Sequence, residues 1–282
     1  MSVSFKRDGV ELSRHSFHPL EPLASAWKHR QLIAHLARRD ILSRYRGSFM
    51  GLIWSFVQPL LMLAIYTVVL GYFLKSKWPG VDNSLEYSLV LFSGLILFNF
   101  LVECISRAPT LVLANPNYVR KIVFPLEVLP WVSVAAALFH TVLTLAAWIV
   151  FYLLVHHSLH WTIVYVPLLL IPLTFVAAAL GWFLSATGVF IRDVNQLIPP
   201  ITQALMFLSP LFYPVHDVPP LFRKILLANP LSFVIEQARV IMIWGHAPDF
   251  AGLGVYWIAS LVAAWLAFVW FQYVRDGFGD VI

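Results

Sequence analysis

The sequence predicts an all-α integral membrane protein: six transmembrane helices, an N-terminal amphipathic helix at the interface, and a re-entrant helical hairpin before the last span. Three observations carry this prediction. Hydrophobic residues make up 60% of the 282 positions and charged residues 12%, with a mean hydropathy of +0.79. Soluble chains sit nearer about 45–50% apolar and about 25% charged, and a soluble domain has no polar cover for so much apolar surface. Six apolar runs are each about long enough to cross a bilayer. Lysine and arginine, finally, fall mainly in alternate loops. This composition excludes an ordinary soluble enzyme, a disordered chain and a fibrous repeat, and the length leaves no room for a sizeable soluble domain besides the spans.

Residues 1–50 form a polar, basic segment with no apolar core of a cleavable signal, so the first span is expected to act as the insertion signal and to stay. Within it, Ile33, Leu36/Ala37, Ile41 and Tyr45 recur at helical spacing, and Arg30, Arg38, Arg39, Arg44 and Arg46 fill most of the remaining surface. A basic amphipathic helix just before a span lies in the interface with its apolar face down. Its arginines serve either as plain positive-inside anchors or as a phosphate-recognising collar at the mouth of a pathway. The spans follow in the transmembrane domain, 51–282: Leu52–Leu74, Ser88–Ile105, Leu126–Val155, Ile163–Ile191, Leu197–Tyr213 and Val255–Val274. Their internal prolines do not veto helix, because neighbouring helices, hydroxyls and water satisfy the freed carbonyls.

The stretch Pro214–Gly254 departs from the plain pattern. Leu221–Ala228 and Leu231–Trp244 are apolar but short for spans, and Asn229-Pro230 breaks them. They read as a re-entrant pair buried by protein or lining an aqueous cavity; the alternative is an amphipathic outer loop. Glu236 and Arg239 sit one helical turn apart and are placed to pair, which lowers the cost of charge at membrane depth.

Charge sets the orientation. Of the 19 basic residues, nine precede the first span, three (Arg107, Arg120, Lys121) lie between the second and third, and Arg192 and Arg275 follow the fourth and the last. The remaining five (Lys75, Lys77, Arg223, Lys224, Arg239) fall on the other side. Both termini are therefore expected in the cytoplasm. The net charge of +5 is explained by this rule without a nucleic-acid partner.

No Gly-x-x-x-x-Gly-Lys-Ser/Thr phosphate loop, His-Glu-x-x-His or Gly-x-Ser-x-Gly occurs in the sequence. The single cysteine, Cys104, lies in an apolar run and reads as packing. His156, His157 and His160 have no carboxylate beside them and read as interfacial polar residues rather than a metal site. His140 stands alone in a span, where a hydrogen bond to a neighbouring helix is the expected role. Ionisable residues inside the spans are sparse, with Glu103 and Glu127 near span ends, which favours a pathway powered from outside the chain over a proton- or sodium-driven carrier. Trp54, Tyr66, Phe98, Phe100, Trp148, Phe175, Trp182 and Phe207 lie inside spans, where they either pack or line a path suited to sugar faces.

At Arg39–Pro59 the chain reads RDILSRYRGSFMGLIWSFVQP. This closely resembles the start of ABC-2-type permease subunits that export polysaccharides. The family pattern falls on Arg39, Asp40, Arg44, Tyr45, Arg46, Ser48, Met50, Gly51, Trp54 and Pro59. The resemblance continues at Asn115–Pro130 (NPNYVRKIVFPLEVLP), at Arg192-Asp193 and at Asn229-Pro230 with Glu236 and Arg239, and so covers almost all of the chain.

The resemblance implies a homodimer in the bacterial inner membrane, six spans per chain, with two separate nucleotide-binding ATPase subunits attached from the cytoplasm. ATP and Mg would then sit on the partner subunit, with no cofactor, catalytic residue or metal in this chain. The implied substrate is a glycan on undecaprenyl pyrophosphate, O-antigen above all; an exporter of capsular polysaccharide, teichoic acid or a small amphiphile is the near alternative. An integral membrane enzyme acting on polyprenyl phosphates is a distant one, and it would need clustered carboxylates or histidines. On the family reading, Arg39, Arg44 and Arg46 hold the pyrophosphate, and Tyr45 sits at the entrance. Asn115, Pro116, Asn117, Arg120, Lys121, Arg192 and Asp193 dock on the ATPase. Asn229, Pro230, Glu236 and Arg239 form the outward gate.

Overall fold

The computed structural model describes residues 18–73, 78–81, 83–119 and 124–281, with the side chains of Leu52, Leu70 and His216 left aside. Arg120 and Lys121, and with them Lys6, Arg7, Arg14, Lys75 and Lys77, lie outside the described residues. Twelve α-helices follow one another among those that are described: α1 (Glu21–Lys28), α2 (Arg30–Arg44), α3 (Trp54–Tyr66), α4 (Ser84–Arg107), α5 (Pro116–Val119), α6 (Val128–His156), α7 (Val166–Phe190), α8 (Val194–Phe207), α9 (Pro220–Ala228), α10 (Pro230–Met242), α11 (Phe250–Val274) and α12 (Phe278–Val281).

Five helical segments are long and apolar enough to cross a membrane: those built on α3, α4, α6, α7 and α11. The bent pair α9–α10 makes a sixth if counted as one. The fifth apolar run of the sequence becomes α8, whose 14 residues rise about 21 Å, short of the ~30 Å hydrocarbon core. Its end has a local cause. Proline disfavours helical backbone in the residue before it, so Pro210 pushes Ser209 out of the helix. Pro59, Pro172, Pro199 and Pro200, by contrast, sit inside α3, α7 and α8.

The bundle is built around α4. From Tyr87 to Leu101 every residue of this helix is buried except Asn99. Lipid is as apolar as leucine, so close packing and hydrogen bonds, not water exclusion, hold such helices together. The indole N–H of Trp148 on α6 donates to the Leu89 carbonyl of α4 at 3.1 Å. That of Trp182 on α7 donates to the Glu127 carbonyl at 3.0 Å, while its ring meets Trp131 and Phe268 edge to face at 5.5 and 5.2 Å. One side chain thus joins α6, α7 and α11. Gly188 lets α7 touch the turn after α4: a Cβ there would collide with the Pro109 carbonyl oxygen.

The same contacts order the two ends. Arg107, Glu127, Arg192 and Arg275 share one end, which we call the basic end; Arg275 bonds Glu127 at 2.8 Å there. α1 and α2 lie at this end too, with α1 touching α11. At the opposite end Thr162 donates to the Ile241 carbonyl at 2.6 Å, closing α10 onto the start of α7.

The α9–α10 pair has the break expected at Asn229-Pro230, with Asn229 extended (ψ 122°) and the two axes at 92°. The pair is an L rather than a folded-back hairpin. The α10 leg is packed into the bundle, with Leu231, Val234, Ile235 and Ile241 fully buried. The α9 leg lies across it with Leu221, Phe222, Ile225 and Leu227 exposed.

Candidate functional site

The amphipathic segment divides at His29 into α1 and α2. Ile33, Leu36, Ala37, Ile41 and Tyr45 are the partly or fully buried face of α2 and its end, as their spacing predicts. Asp40 shares that face, and it brings ionic chemistry with it. Its carboxylate accepts two bonds from the Arg107 guanidinium of α4, from Nη1 at 2.5 Å and from Nη2 at 2.6 Å. One turn further along both helices, Arg44 meets Glu103 at 2.5 Å. Residues four apart lie on one helix face. The pairs 40/44 on α2 and 103/107 on α4 therefore form a two-rung ladder between antiparallel helix ends.

The ladder continues into the bundle. Nδ1 of His140 on α6 lies 3.0 Å from Glu103 Oε1, and Nε2 lies 3.3 Å from the Tyr45 hydroxyl. The Arg44 guanidinium also stands against this ring, with Nη1 3.3 Å from Nδ1, so Glu103, Arg44 and Tyr45 all meet at His140. The expected bond to a neighbouring helix is present. Burial pushes the Asp40 carboxyl up, but the hydrogen bond and charge of Arg107, with Arg44 behind it, outweigh burial and hold it below the ordinary carboxylate value.

Behind this network lies a cleft of about 470 Å³ between α3, α4 and α6, with Arg44 and Tyr45 at its rim. Gln58, Asn99 and Thr144 offer neutral hydrogen-bonding groups there, and Tyr66, Phe92 and Phe100 offer aromatic surface. Sequence reasoning did not single out Asn99 or Gln58. The signal was present, since a carboxamide within an apolar span is costly unless it has a partner or faces a cavity. Glu103 and Arg107 were noted by position only; their roles depend on which residues of α2 stand opposite.

The arginines expected to act together are split by the helix. Arg44 turns into the cleft, whereas Arg39 and Arg46 are exposed and line a separate groove with Arg38, His35, Leu42 and Ser43. Among the described residues no carboxylate pairs with Arg38, Arg39 or Arg46.

The residues assigned to ATPase docking lie at the basic end. Asn115 caps back onto the Leu111 carbonyl at 2.9 Å, Pro116 opens the single turn of α5, and Asn117 is exposed. Arg192 and Asp193 are exposed in the α7–α8 turn. The Gly188–Pro109 contact brings that turn beside the segment leading to Asn115.

The residues assigned to the gate meet at the α8–α10 junction. The Asn229 side-chain amide donates to the Leu208 carbonyl at 3.1 Å and to Ser209 Oγ at 2.9 Å, and its oxygen caps Leu231 N–H at 2.9 Å, with Pro230 opening the helix. Arg239, 1% exposed, donates to Glu236 at 2.8 Å and to the Leu211 carbonyl at 2.9 Å, and stacks over Trp78 at 4.2 Å. The expected Glu236–Arg239 pair is formed.

Of the interior aromatics, Trp148, Trp182, Phe98 and Phe175 are packing residues, Tyr66 and Phe100 line the cleft, and Trp54 and Phe207 are exposed. Cys104 is buried, as expected.

The long apolar helices and a polar cleft rimmed by a basic helix define a multi-pass membrane protein. The chain belongs to the ABC-2 type transporter family, whose model matches residues 31–243. It is similar to the O-antigen export system permease protein RfbA of Myxococcus xanthus, at 26% identity over 91% of this chain and 97% of that protein. The protein of the same name from Klebsiella pneumoniae is 22% identical over 89% of this chain and 95% of its own length. The polysialic acid transport protein KpsM of Escherichia coli is 24% identical over 81% and 87%.

Proposed function

We propose that this chain is the membrane subunit of an ATP-driven exporter of a lipid-linked polysaccharide, O-antigen first among the candidates. The observation that carries the reading is the juxtaposition at one end of the bundle: a cationic helix, α2, stands over a cleft of neutral carboxamides, hydroxyls and aromatic rings. Cations suit a pyrophosphate head, and neutral donors with ring faces suit sugars. Similarity to O-antigen permeases over almost the whole chain supports the substrate class.

In this reading the basic end faces the cytoplasm with both termini, and two copies pair in the inner membrane. Two ATPase subunits, which carry ATP and Mg, dock on Asn115–Lys121 and Arg192-Asp193. Their closing motion enters the bundle through the Pro109–Gly188 contact. Arg39, Arg44 and Arg46 meet the undecaprenyl pyrophosphate head, and Tyr45 contacts sugar or gates the cleft. The α8–α10 junction with Asn229, Pro230, Glu236 and Arg239 forms the outward gate. Capsular polysaccharide is the second reading, favoured by the similarity to the capsule polysaccharide export inner-membrane protein CtrC of Neisseria meningitidis.

The test is genetic and biochemical. Removal of the chain from its host is expected to leave lipid-linked glycan inside the cell, and the glycan's identity separates O-antigen from capsule. The purified complex is expected to carry an ATPase partner. Arg39→Ala with Arg46→Ala, which leaves the ladder intact, is expected to abolish surface glycan while the complex still assembles. Normal export in that variant refutes the head-group role of Arg39 and Arg46, and normal surface glycan without the chain refutes the reading as a whole.

A further inference from the structure

We propose that Arg44 and Arg107 are the two sides of a diphosphate seat, and that Asp40 and Glu103 are built-in stand-ins occupying it between substrates. The proposal rests on the exporter reading and names the residues that would hold its head group.

The geometry is specific. Asp40 Oδ2 lies 2.5 Å from Arg107 Nη1 and 3.9 Å from Arg44 Nη2, so one anionic oxygen sits between two guanidinium groups. Glu103 Oε1 lies 2.5 Å from Arg44 and 3.0 Å from His140 Nδ1. Two anionic groups thus flank Arg44 in adjacent seats, as two linked phosphates would. Guanidinium binds carboxylate and phosphate through the same fork of donors, and a phosphate brings more charge. The site is reachable, because the side chains of Arg44 and Arg107 are 29% and 35% exposed. It also lies where occupation has a mechanical effect. The rungs tie α2 to α4, and Arg44 and Tyr45 rim the cleft behind them. A diphosphate that takes the arginines releases Asp40 and Glu103, undoes both rungs, and leaves α2 held chiefly by its packing on α6, so that Arg44 and Tyr45 can shift at the cleft rim. The head group would then open the path for the sugar it carries.

The consequence runs against ordinary expectation for a structural ion pair. Removing the carboxylate charges, Asp40→Asn with Glu103→Gln, strengthens binding because the arginines no longer have an internal competitor. In the assembled complex in lipid nanodiscs, with geranylgeranyl diphosphate as probe, the variant is expected to bind roughly tenfold more tightly than the native protein, the scale of one charged hydrogen bond released. Geranylgeraniol, which lacks phosphate, is expected to show no difference. Competition by inorganic pyrophosphate assigns the seat to the diphosphate alone, and failure to compete assigns it to the lipid form; both support the seat. Should the double variant not assemble, Glu103→Gln alone is expected to shift binding in the same direction and Arg107→Gln in the opposite one. Equal or weaker probe binding by the carboxamide variants, with the native protein binding, overturns the stand-in role and leaves the exporter reading standing. No binding by the native protein or the variants overturns the lipid-diphosphate reading itself.

Discussion

The side-chain amide of Asn229 donates to the carbonyl of Leu208 at 3.1 Å, so the first residue of the α10 turn supplies the hydrogen bond that the end of α8 lacks. Where lipid or protein shields such a helix end from water, an unsatisfied carbonyl is expensive. One asparagine therefore serves two helix ends, since its oxygen also caps Leu231 N–H. Asn229→Asp keeps the cap and loses the amide, setting a charge against a carbonyl. It is expected to cost more than Asn229→Ser, each on the order of 1–3 kcal/mol, read as a lowered Tm of the detergent-purified protein.

Arg239 is a buried cation held by Glu236, the Leu211 carbonyl and the face of Trp78. Arg239→Leu leaves the Leu211 carbonyl unpaired and Glu236, whose side chain is 37% exposed, without its partner, and is expected to destabilise by roughly 1–3 kcal/mol. Adding Glu236→Gln to it should recover the part of that loss that comes from the unpaired carboxylate. Thermal unfolding of the two single variants and the double closes the cycle, and strict additivity would show that the pair does not act as a unit.

Gly188→Ala tests the contact between the α7–α8 turn and the segment after α4. The added methyl meets backbone at Pro109, which yields only by separating the helices. An overpacking loss of about 1–3 kcal/mol is expected. If force passes through this contact, the assembled complex should also hydrolyse ATP with little glycan export; proportionate loss of both activities would argue for a purely structural contact.

The Asp40 rung has a defined pH range. Its carboxyl is held below the ordinary value of about 3.9 in the folded protein. The unfolded state therefore binds its proton first as pH falls, and the contribution to stability is complete above the ordinary value and is lost only as pH drops through the lowered one. Hydrogen exchange of the α2 amides, corrected for intrinsic rate, should stay protected from pH 8 to pH 5. Asp40→Asn should show reduced protection already at pH 7.

How much of this was legible beforehand depends on the range of each interaction. The spans of α4, α6, α7 and α11 follow from apolar length, and the buried face of α2 from Ile33, Leu36, Ala37 and Ile41 at helical spacing. Glu236 and Arg239 were legible because three residues along a helix fix their distance. The Asp40–Arg107 and Arg44–Glu103 rungs were not, because they depend on how α2, packed on α6, reaches across to α4, which no local pattern encodes. The same holds for the separation of Arg39 and Arg46 from Arg44. Helical phase alone puts position 44 well round from 39 and 46, but only the packing shows which side faces the cleft. The early stop of α8 was written in Pro210, yet Pro199 and Pro200 sit inside the same helix, so proline content by itself did not locate the end.

The burial of α4 has a consequence for how the protein is made. It is the second long helix to leave the ribosome, but its neighbours on nearly every side are α6, α7, α8 and α10. Until Met242 has been synthesised, much of the surface that ends up innermost must face lipid or the insertion machinery. From Tyr87 to Phe98 its described side chains are aliphatic or aromatic apart from two serines, Ser88 and Ser93, that bond back to their own helix, so waiting in lipid costs little. Asn99 is the exception within that stretch's next turn. During biogenesis it is the residue that would benefit most from a chaperoning polar contact, and a substitution there should alter insertion efficiency separately from any effect on transport.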